Sequence, residues 1–547
     1  MFEFTTLDTI VVVIYFLIMI GIIYFSSRSV KSSEDFLIGG KRFGSFATMA
    51  TQGASMKGSA SLVGYAGGAW TNGIGVLFAS QCYNMGGWLA VMIGLARRLK
   101  KCGDILDIKS VGDVFKYRYN DNKLARICGG IASTWLALAT MASQLVAISL
   151  LLYMAAGHYG LTYNQCLVIS GVIAVGCTIF GGLVSVIYTD VFQWCVMTPT
   201  IFVIIPLFCV LHGATPSNIH ATLAAEQFFD LRPNPTWIAL LLSGLLTSVA
   251  DIVYLTRFIS AKDERSAVRG STFGFLYTTL WAGIVLFFGL AAAILIKPDM
   301  VTGTDQVLYK LMGMVLPSGL LGLFGAALFA TTISTIDSYL HIAVVAVTVD
   351  IRDVVSSKKL TDRQELIFAR VLTVVLTALC VIFVVSMKGI IAIFNLGWGV
   401  YAAGMFMPLM ATFFWRKATA ESTLAGIVTG VAAYLFTYYS GWKLPILWGV
   451  GLSLAAVIVV AIMQNKDTDL LPGFEDRGKI VKGYPQDVWI FGGALIGCIG
   501  TLTISVGVGM WVNWVHIVVG LVVMTVGMKL LTTGTPKGEL DPIAAAK

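Results

Sequence analysis

Phe324-Gly-Ala-Ala-Leu-Phe-Ala-Thr-Thr-Ile-Ser-Thr-Ile-Asp-Ser-Tyr-Leu340 is the stretch on which this chain turns. It lies within an apolar segment from Leu320 to Val349, long enough to cross a bilayer as one helix. Near its middle stand Ser334, Thr335, Asp337 and Ser338. Hydrocarbon offers these groups no hydrogen bond, so they must face protein or a wet cavity. Ser334, Asp337 and Ser338 share one helical face at i, i+3 and i+4. Hard oxygens converging at that depth point to a site for a small cation.

The rest of the chain supplies the setting. Its 547 residues are 57% hydrophobic and 12% charged, with a mean hydropathy of +0.84. A soluble protein would carry about a quarter charged residues. Apolar runs recur near residues 8–26, 44–66, 74–96, 127–156, 163–180, 187–211, 237–256, 273–296, 320–349, 369–387, 390–415, 422–440, 445–463, 487–506 and 509–531, which predicts about fifteen transmembrane helices. The first lacks a basic leader and a small-residue cleavage site, so it reads as a retained helix. With the N-terminus outside, the inward connections hold 31 of the 37 Lys and Arg residues; the outward ones hold Arg232, Lys297, Lys310, Lys388 and Lys443. That asymmetry is a positive-inside signal with a cytoplasmic C-terminus. It also accounts for the net charge of +8 without nucleic acid. The nine cysteines form no metal-type cluster and read as buried thiols. No connection is long enough for a catalytic domain, and the tail after Leu531 reads as flexible.

The second span is irregular. Gly53, Gly58 and several Ser/Thr residues interrupt it midway, and Lys57 sits at the interruption. A transmembrane helix broken at mid-depth frees carbonyls for a cation and amides for an anion; small residues there also serve close helix packing. A lysine at that depth requires a partner or water, which argues for a polar cavity. Span seven has a similar interruption at Ser243-Gly244 and Thr247-Ser248, with Asp251 beyond it. Two interrupted helices five spans apart are the spacing of two inverted five-helix repeats.

Three segments then resemble the sodium/solute symporter family. Gly181-Gly-Leu-Val-Ser-Val-Ile-Tyr-Thr-Asp-Val-Phe-Gln193 is similar to its signature, Ala327 to Ser338 resembles its sodium-site helix, and Phe414 to Gly426 resembles the segment closing its core. The resemblance covers residues 30 to 430. It implies an all-α fold of two inverted five-helix repeats, as in amino-acid transporters. The divisions are residues 1–43 (an extra helix and first loop), 44–420 (the transport core, repeats 44–211 and 237–415) and 421–547 (further helices and tail). It further implies that sodium-coupled symport across the plasma membrane works by alternating access, with Na+ and a small solute as partners and no obligate protein partner.

By the same resemblance, the sodium ligands are the carbonyls of Ala54, Lys57 and Thr331 with the hydroxyls of Ser334 and Thr335. A second cation position maps to Asp190, Ser334, Asp337 and Ser338, with Asp190 near the cytoplasmic mouth; the two aspartates also read as structural carboxylates at helix ends. The chain departs from the family at Lys57, where members carry an apolar or small residue. That ammonium can take the cation's place, pair with Asp337, or face the solute. Cys82 stands where galactose transporters have a sugar-binding glutamate, which disfavours a hexose. Thr256-Arg257 replaces the family's Gln-Arg pair. The substrate-binding candidates are Ser55, Lys57, Gln81, Asn84, Ser248, Asp251, Asn395 and Trp398, the last read first as an interfacial anchor. Lys57 calls for a carboxylate and Asp251 for an ammonium, so a small organic anion or zwitterion is expected. Two other readings stay open: a proton-coupled symporter using Lys57, Asp337 and Asp190, and a transporter-like sensor with a separate signalling partner. An enzyme is disfavoured, since no nucleophile–base pair or His cluster occurs among only five histidines.

Overall fold

The computed structural model describes residues 4–28, 39–156, 159–179, 182–223, 234–356, 361–386, 389–474, 487–509 and 514–533. Gly181 of the signature, Arg232, Lys388 and the tail beyond Thr533 lie outside the described residues.

The described residues are helical, with no strand among them beyond a single bridge between Phe43 and Ala261. In chain order the helices are α1 (Thr6–Ser27), α2 (Ser45–Ser55), α3 (Ser59–Asn72), α4 (Leu77–Met92), α5 (Leu95–Ile105), α6 (Val111–Arg118) and α7 (Lys123–Ala156). Next come α8 (Tyr163–Thr178), α9 (Gly182–Leu211), α10 (Pro216–Leu223), α11 (Pro235–Val249), α12 (Ile252–Ser260), α13 (Glu264–Leu295) and α14 (Val307–Val315). The remainder are α15 (Leu320–Val345), α16 (Asp362–Ser386), α17 (Ile390–Phe414), α18 (Ala420–Tyr439), α19 (Pro445–Gln464), α20 (Asp487–Gly509) and α21 (Trp514–Thr533). Among the described residues, ten helices are long and apolar enough to cross a membrane, or eleven if Ser59–Met92 and the sharply bent Leu95–Ile105 count as one. The expected fifteen spans therefore exceed this number. Those at 163–180, 487–506 and 509–531 fall on shorter apolar stretches, and the spans at 44–66 and 237–256 are each split in two.

Burial sorts these helices. The apolar stretch of α15 is 89% buried, whereas that of α1 is 17% and that of α19 is 28%. A helix apolar all round and surrounded by protein is a central element; one with bare apolar flanks is a lipid-facing one. Around α15 stand α7, α9 and α2, and α13 backs α2 and α3 from the other side.

The N-terminal helix is pinned to α15 rather than merely adjacent to it. Asp8 Oδ1 accepts the amides of Gly319 and Gly322, both at 2.7 Å, which satisfies two orphan donors at the start of α15. Its other oxygen accepts from Thr5, closing a capping box on α1. The approach is so close that a Cβ on Gly322 would lie 2.5 Å from the Asp8 backbone. We expect Gly322→Ala to destabilise the protein by about 1–3 kcal/mol and lower its thermal midpoint in detergent by several degrees. Gly21→Ala, with open space around its Cβ, should leave the midpoint unchanged.

Candidate ion and solute site

The helix expected at 44–66 unwinds at Met56-Lys57-Gly58. The last helical bond of α2 runs from the Met56 amide to the Gln52 carbonyl at 3.1 Å. Among the described residues, the carbonyls of Ala54 and Lys57 accept no backbone amide beyond it. The break is held open from α7: Gln144 Oε1 accepts the Ala60 amide at 3.0 Å and the Ser59 hydroxyl at 3.2 Å, capping α3. Only glycine leaves room for it, because a Cβ on Gly58 would sit 2.2 Å from Gln144 Oε1.

On α15, opposite the break, the Ser334 hydroxyl lies 3.0 Å from the Ala54 carbonyl and 3.1 Å from the Thr331 carbonyl. The Thr335 hydroxyl lies 2.9 Å from that same Thr331 carbonyl. Ala54, Thr331 and Ser334 are fully buried, and Thr335 nearly so. These oxygens are uncharged, hard and drawn from two helices, which suits a monovalent cation. A divalent ion would require carboxylates, and there is none in this set. The structure thus brings together four of the five oxygens expected for sodium and places Lys57 beside them.

Ser55, Lys57, Gly58, Tyr65, Tyr83, Thr140, Gln144, Thr335, Tyr339, Phe394 and Trp398 are among the residues lining a cavity of about 30 Å³ at the break. That holds on the order of two water molecules. Trp398 is not an interfacial anchor: it is 6% exposed, stacks on Phe394 at 4.5 Å and tilts over Tyr83 at 5.2 Å. Lys57 is 3% exposed, and among the described residues nothing forms a hydrogen bond or ion pair with its ammonium. It does not pair with Asp337, whose carboxylate accepts from Thr178 on α8 instead. The Thr140 hydroxyl and the Trp398 indole N–H are likewise without partners. The cavity wall thus carries three unused donors and no carboxylate.

Other candidates are elsewhere. Asp251 is the N-cap of α12, the second half of the other broken helix: its Oδ1 accepts the Val253 amide at 2.7 Å. Its Oδ2 accepts from the Tyr339 hydroxyl at 2.8 Å, and Tyr339 in turn lies 2.7 Å from the Tyr83 hydroxyl. Each phenol has one proton, so the chain runs Tyr83 to Tyr339 to Asp251. Gln81 and Asn84 bond the carbonyls of Thr279 and Thr278 on α13, Ser248 bonds back to Leu245, and the Asn395 carbonyl accepts Tyr434. None of these five lines the cavity. Of the eight substrate candidates, only Ser55, Lys57 and Trp398 do.

Asp190 is fully buried on α9, where its Oδ2 accepts from Thr51 at 2.5 Å and from Ser55 at 3.0 Å. Ser55 reaches Ser338 at 2.8 Å. The second expected cation set is therefore divided: Asp190 and Ser338 share Ser55, Ser334 belongs with Ala54, and Asp337 is held by Thr178. Sequence reasoning passed over Gln144, Thr140, Tyr83, Tyr339 and Phe394. Asp251 carried a local signal, since an aspartate two residues before the amide it bonds is a common N-cap.

A bundle of apolar helices, two of them broken and one of those breaks opening on a polar cavity, defines a membrane protein of the solute-transporter class. The sodium:solute symporter family matches residues 36–430, and the chain belongs to that family. A sodium/proline symporter of Staphylococcus aureus is 23% identical over 449 residues, covering 80% of this chain and 86% of that one. A sodium/pantothenate symporter of Haemophilus influenzae is 24% identical over 457 residues, covering 80% and 91%. Among solved structures, a substrate-bound, outward-open Na+-coupled sialic acid symporter superposes with a TM-score of 0.72 at 19% identity, covering 86% of this chain and all of that one. The fold is thus that of a sodium symporter, and the chain is a sodium-coupled solute transporter by its family. Neither proton coupling nor the sensor reading finds support in these likenesses.

Removing the Tyr339 hydroxyl should leave Asp251 Oδ2 buried without its donor. Tyr339→Phe is expected to cost about 1–3 kcal/mol, read as a lower thermal midpoint, while Asp251→Asn, which keeps an acceptor for the Val253 amide, costs less.

Proposed function

We propose that this protein imports a small monocarboxylate together with sodium, and that Lys57 binds the solute's carboxylate. The observation that carries the reading is the unpaired Lys57 ammonium in a cavity with spare donors and no acid. An occupant supplying acceptors and one negative charge completes that wall. Asp251, committed to α12 and Tyr339, offers nothing to an ammonium, so the zwitterion expectation gives way to a simple anion. The small cavity and its aromatic lid of Phe394 and Trp398 suit a short carbon chain.

Coupling follows from charge. The sodium ligands are the Ala54, Lys57 and Thr331 carbonyls with the Ser334 and Thr335 hydroxyls, and one of these residues, Lys57, also carries a fixed ammonium. That ammonium repels the ion until a carboxylate neutralises it. Ion and solute then strengthen each other's binding by the same factor, because linkage is reciprocal. The ion ties α15 to the broken α2–α3 helix, and the solute closes the cavity between them. With the N-terminus outside, both enter from the side holding few basic connections.

The test is uptake of radiolabelled acetate, lactate and pyruvate into proteoliposomes, with and without a sodium gradient, with proline as the zwitterionic comparison. At least one monocarboxylate should accumulate only with sodium, and proline should not. Lys57→Met should cut uptake about a hundredfold or more, yet raise sodium affinity in the absence of solute, read by tryptophan fluorescence. Proline uptake undiminished by Lys57→Met would refute the assignment. Ser334→Ala and Thr335→Ala should each raise the half-saturating sodium concentration about tenfold, the loss of one charge-assisted contact.

A further inference from the structure

The loop after α19 ties together two parts of the bundle that release would have to separate. α5, bent 64° away from the helix before it, packs on α12 and α13. Lys100 Nζ donates to the Ile259 carbonyl at 3.3 Å, and a Cβ on Gly103 would lie 2.8 Å from the Ile259 side chain. α5 and the second half of that broken helix therefore form one body. The end of α17 is held by another. Arg118 of α6 donates to the Thr412 and Trp415 carbonyls, both at 3.0 Å. The following Tyr119 places its hydroxyl 2.8 Å from that of Thr412 and 2.7 Å from that of Thr423.

Residues 465–474 run from the second body to the first. At one end the Thr468 amide and hydroxyl donate to the Arg416 carbonyl at 2.8 and 2.6 Å, and Lys417 reaches Asn465 at 2.9 Å. At the other, the Gly473 carbonyl accepts from Arg98 of α5 at 3.4 Å, and a Cβ on Gly473 would lie 3.5 Å from Lys101 Cβ. Phe474 is wedged between the two bodies and fully buried. It stacks on Phe413 at 4.9 Å, meets Phe414 edge-on at 5.6 Å, and has the Arg98 guanidinium 6.0 Å from its ring centre. A ring shared in this way holds only while both bodies stay in place.

We propose that residues 465–474 are an inner strap that keeps this end of the bundle shut and must let go of α5 before ion and solute leave there. The cavity wall includes Tyr83 of α4, which leads into α5, and Phe394 and Trp398 of α17. Opening the cavity toward α5 parts the ends of α5 and α17, which the strap joins. In the topology proposed above, this end is the exit. The short bonds lie at Thr468 and the long one at Arg98, so the α5 end is the weaker joint.

Two measurements on the full chain test this. Lys101→Cys with Gly473→Cys puts two thiols at the Cβ spacing of a disulfide. Oxidation should abolish sodium-driven lactate uptake into proteoliposomes, reduction should restore it, and 22Na+ binding to the oxidised protein should persist. Gly473 has a φ of +85°, which strains a cysteine there; comparing oxidised with reduced samples of the same variant removes that effect. Uptake indifferent to the cross-link overturns the proposal. The second measurement uses Cys102 of α5, which is fully buried. In Phe474→Ala a water-soluble maleimide should label it about tenfold faster than in the parent, reflecting the loss of one shared ring. Met312→Ala, a comparable loss of buried apolar volume in α14, should leave the rate unchanged. Equal labelling of Phe474→Ala and parent overturns the proposal as well. Thr468→Ala should give a smaller rise, and replaces Phe474→Ala should that variant not fold. Should neither lactate nor another monocarboxylate be carried, the solute reading falls and Cys102 labelling judges the strap alone.

Discussion

Everything at the centre of this protein depends on a helix that stops in the middle of an apolar bundle. Ending the hydrogen-bond ladder at Met56 leaves carbonyls and amides in surroundings where each must find a substitute partner or cost several kcal/mol. Gln144 meets the amides of α3, and its approach demands glycine at position 58. Ser334 meets the carbonyl of Ala54. The residual demand, for a positive charge among the remaining oxygens, is what a sodium ion would answer.

A neutral ligand shell alone would bind sodium whether or not a solute were present, and an ion that binds alone can leak. In the function proposed above, Lys57 would change this: a fixed positive charge beside the ion site would make binding conditional on an anion, and the same charge would select that cargo.

Much of this was legible in the chain itself because it depended on local composition. The hydroxyls of Ser334 and Thr335 and the glycines flanking Lys57 announce a polar break wherever they occur in an apolar run. The structure agrees at α2–α3 and at α11–α12. What stayed hidden depends on partners far apart in sequence. Gln144 lies 84 residues from Ala60, Tyr339 lies 88 from Asp251, and Arg257 lies 202 from Ser55. Asp251 was misread for this reason: a carboxylate at mid-depth looks available until a helix end and a phenol are found to occupy both its oxygens. Gln81, Asn84 and Ser248 looked like lining residues because they are polar in apolar helices, yet each donates to a backbone carbonyl of a neighbouring or its own helix.

The Asp8 carboxylate also changes what the first helix is for. By capping Gly319 and Gly322 it fixes the starting point of the helix that bears Ser334 and Thr335. An element nearly bare of protein on its outer flank thereby sets the register of Ser334 and Thr335 some four turns further along. Trimming the chain's beginning, or fusing a bulky tag ahead of Thr5, would loosen the placement of those hydroxyls at a distance rather than merely shorten the molecule.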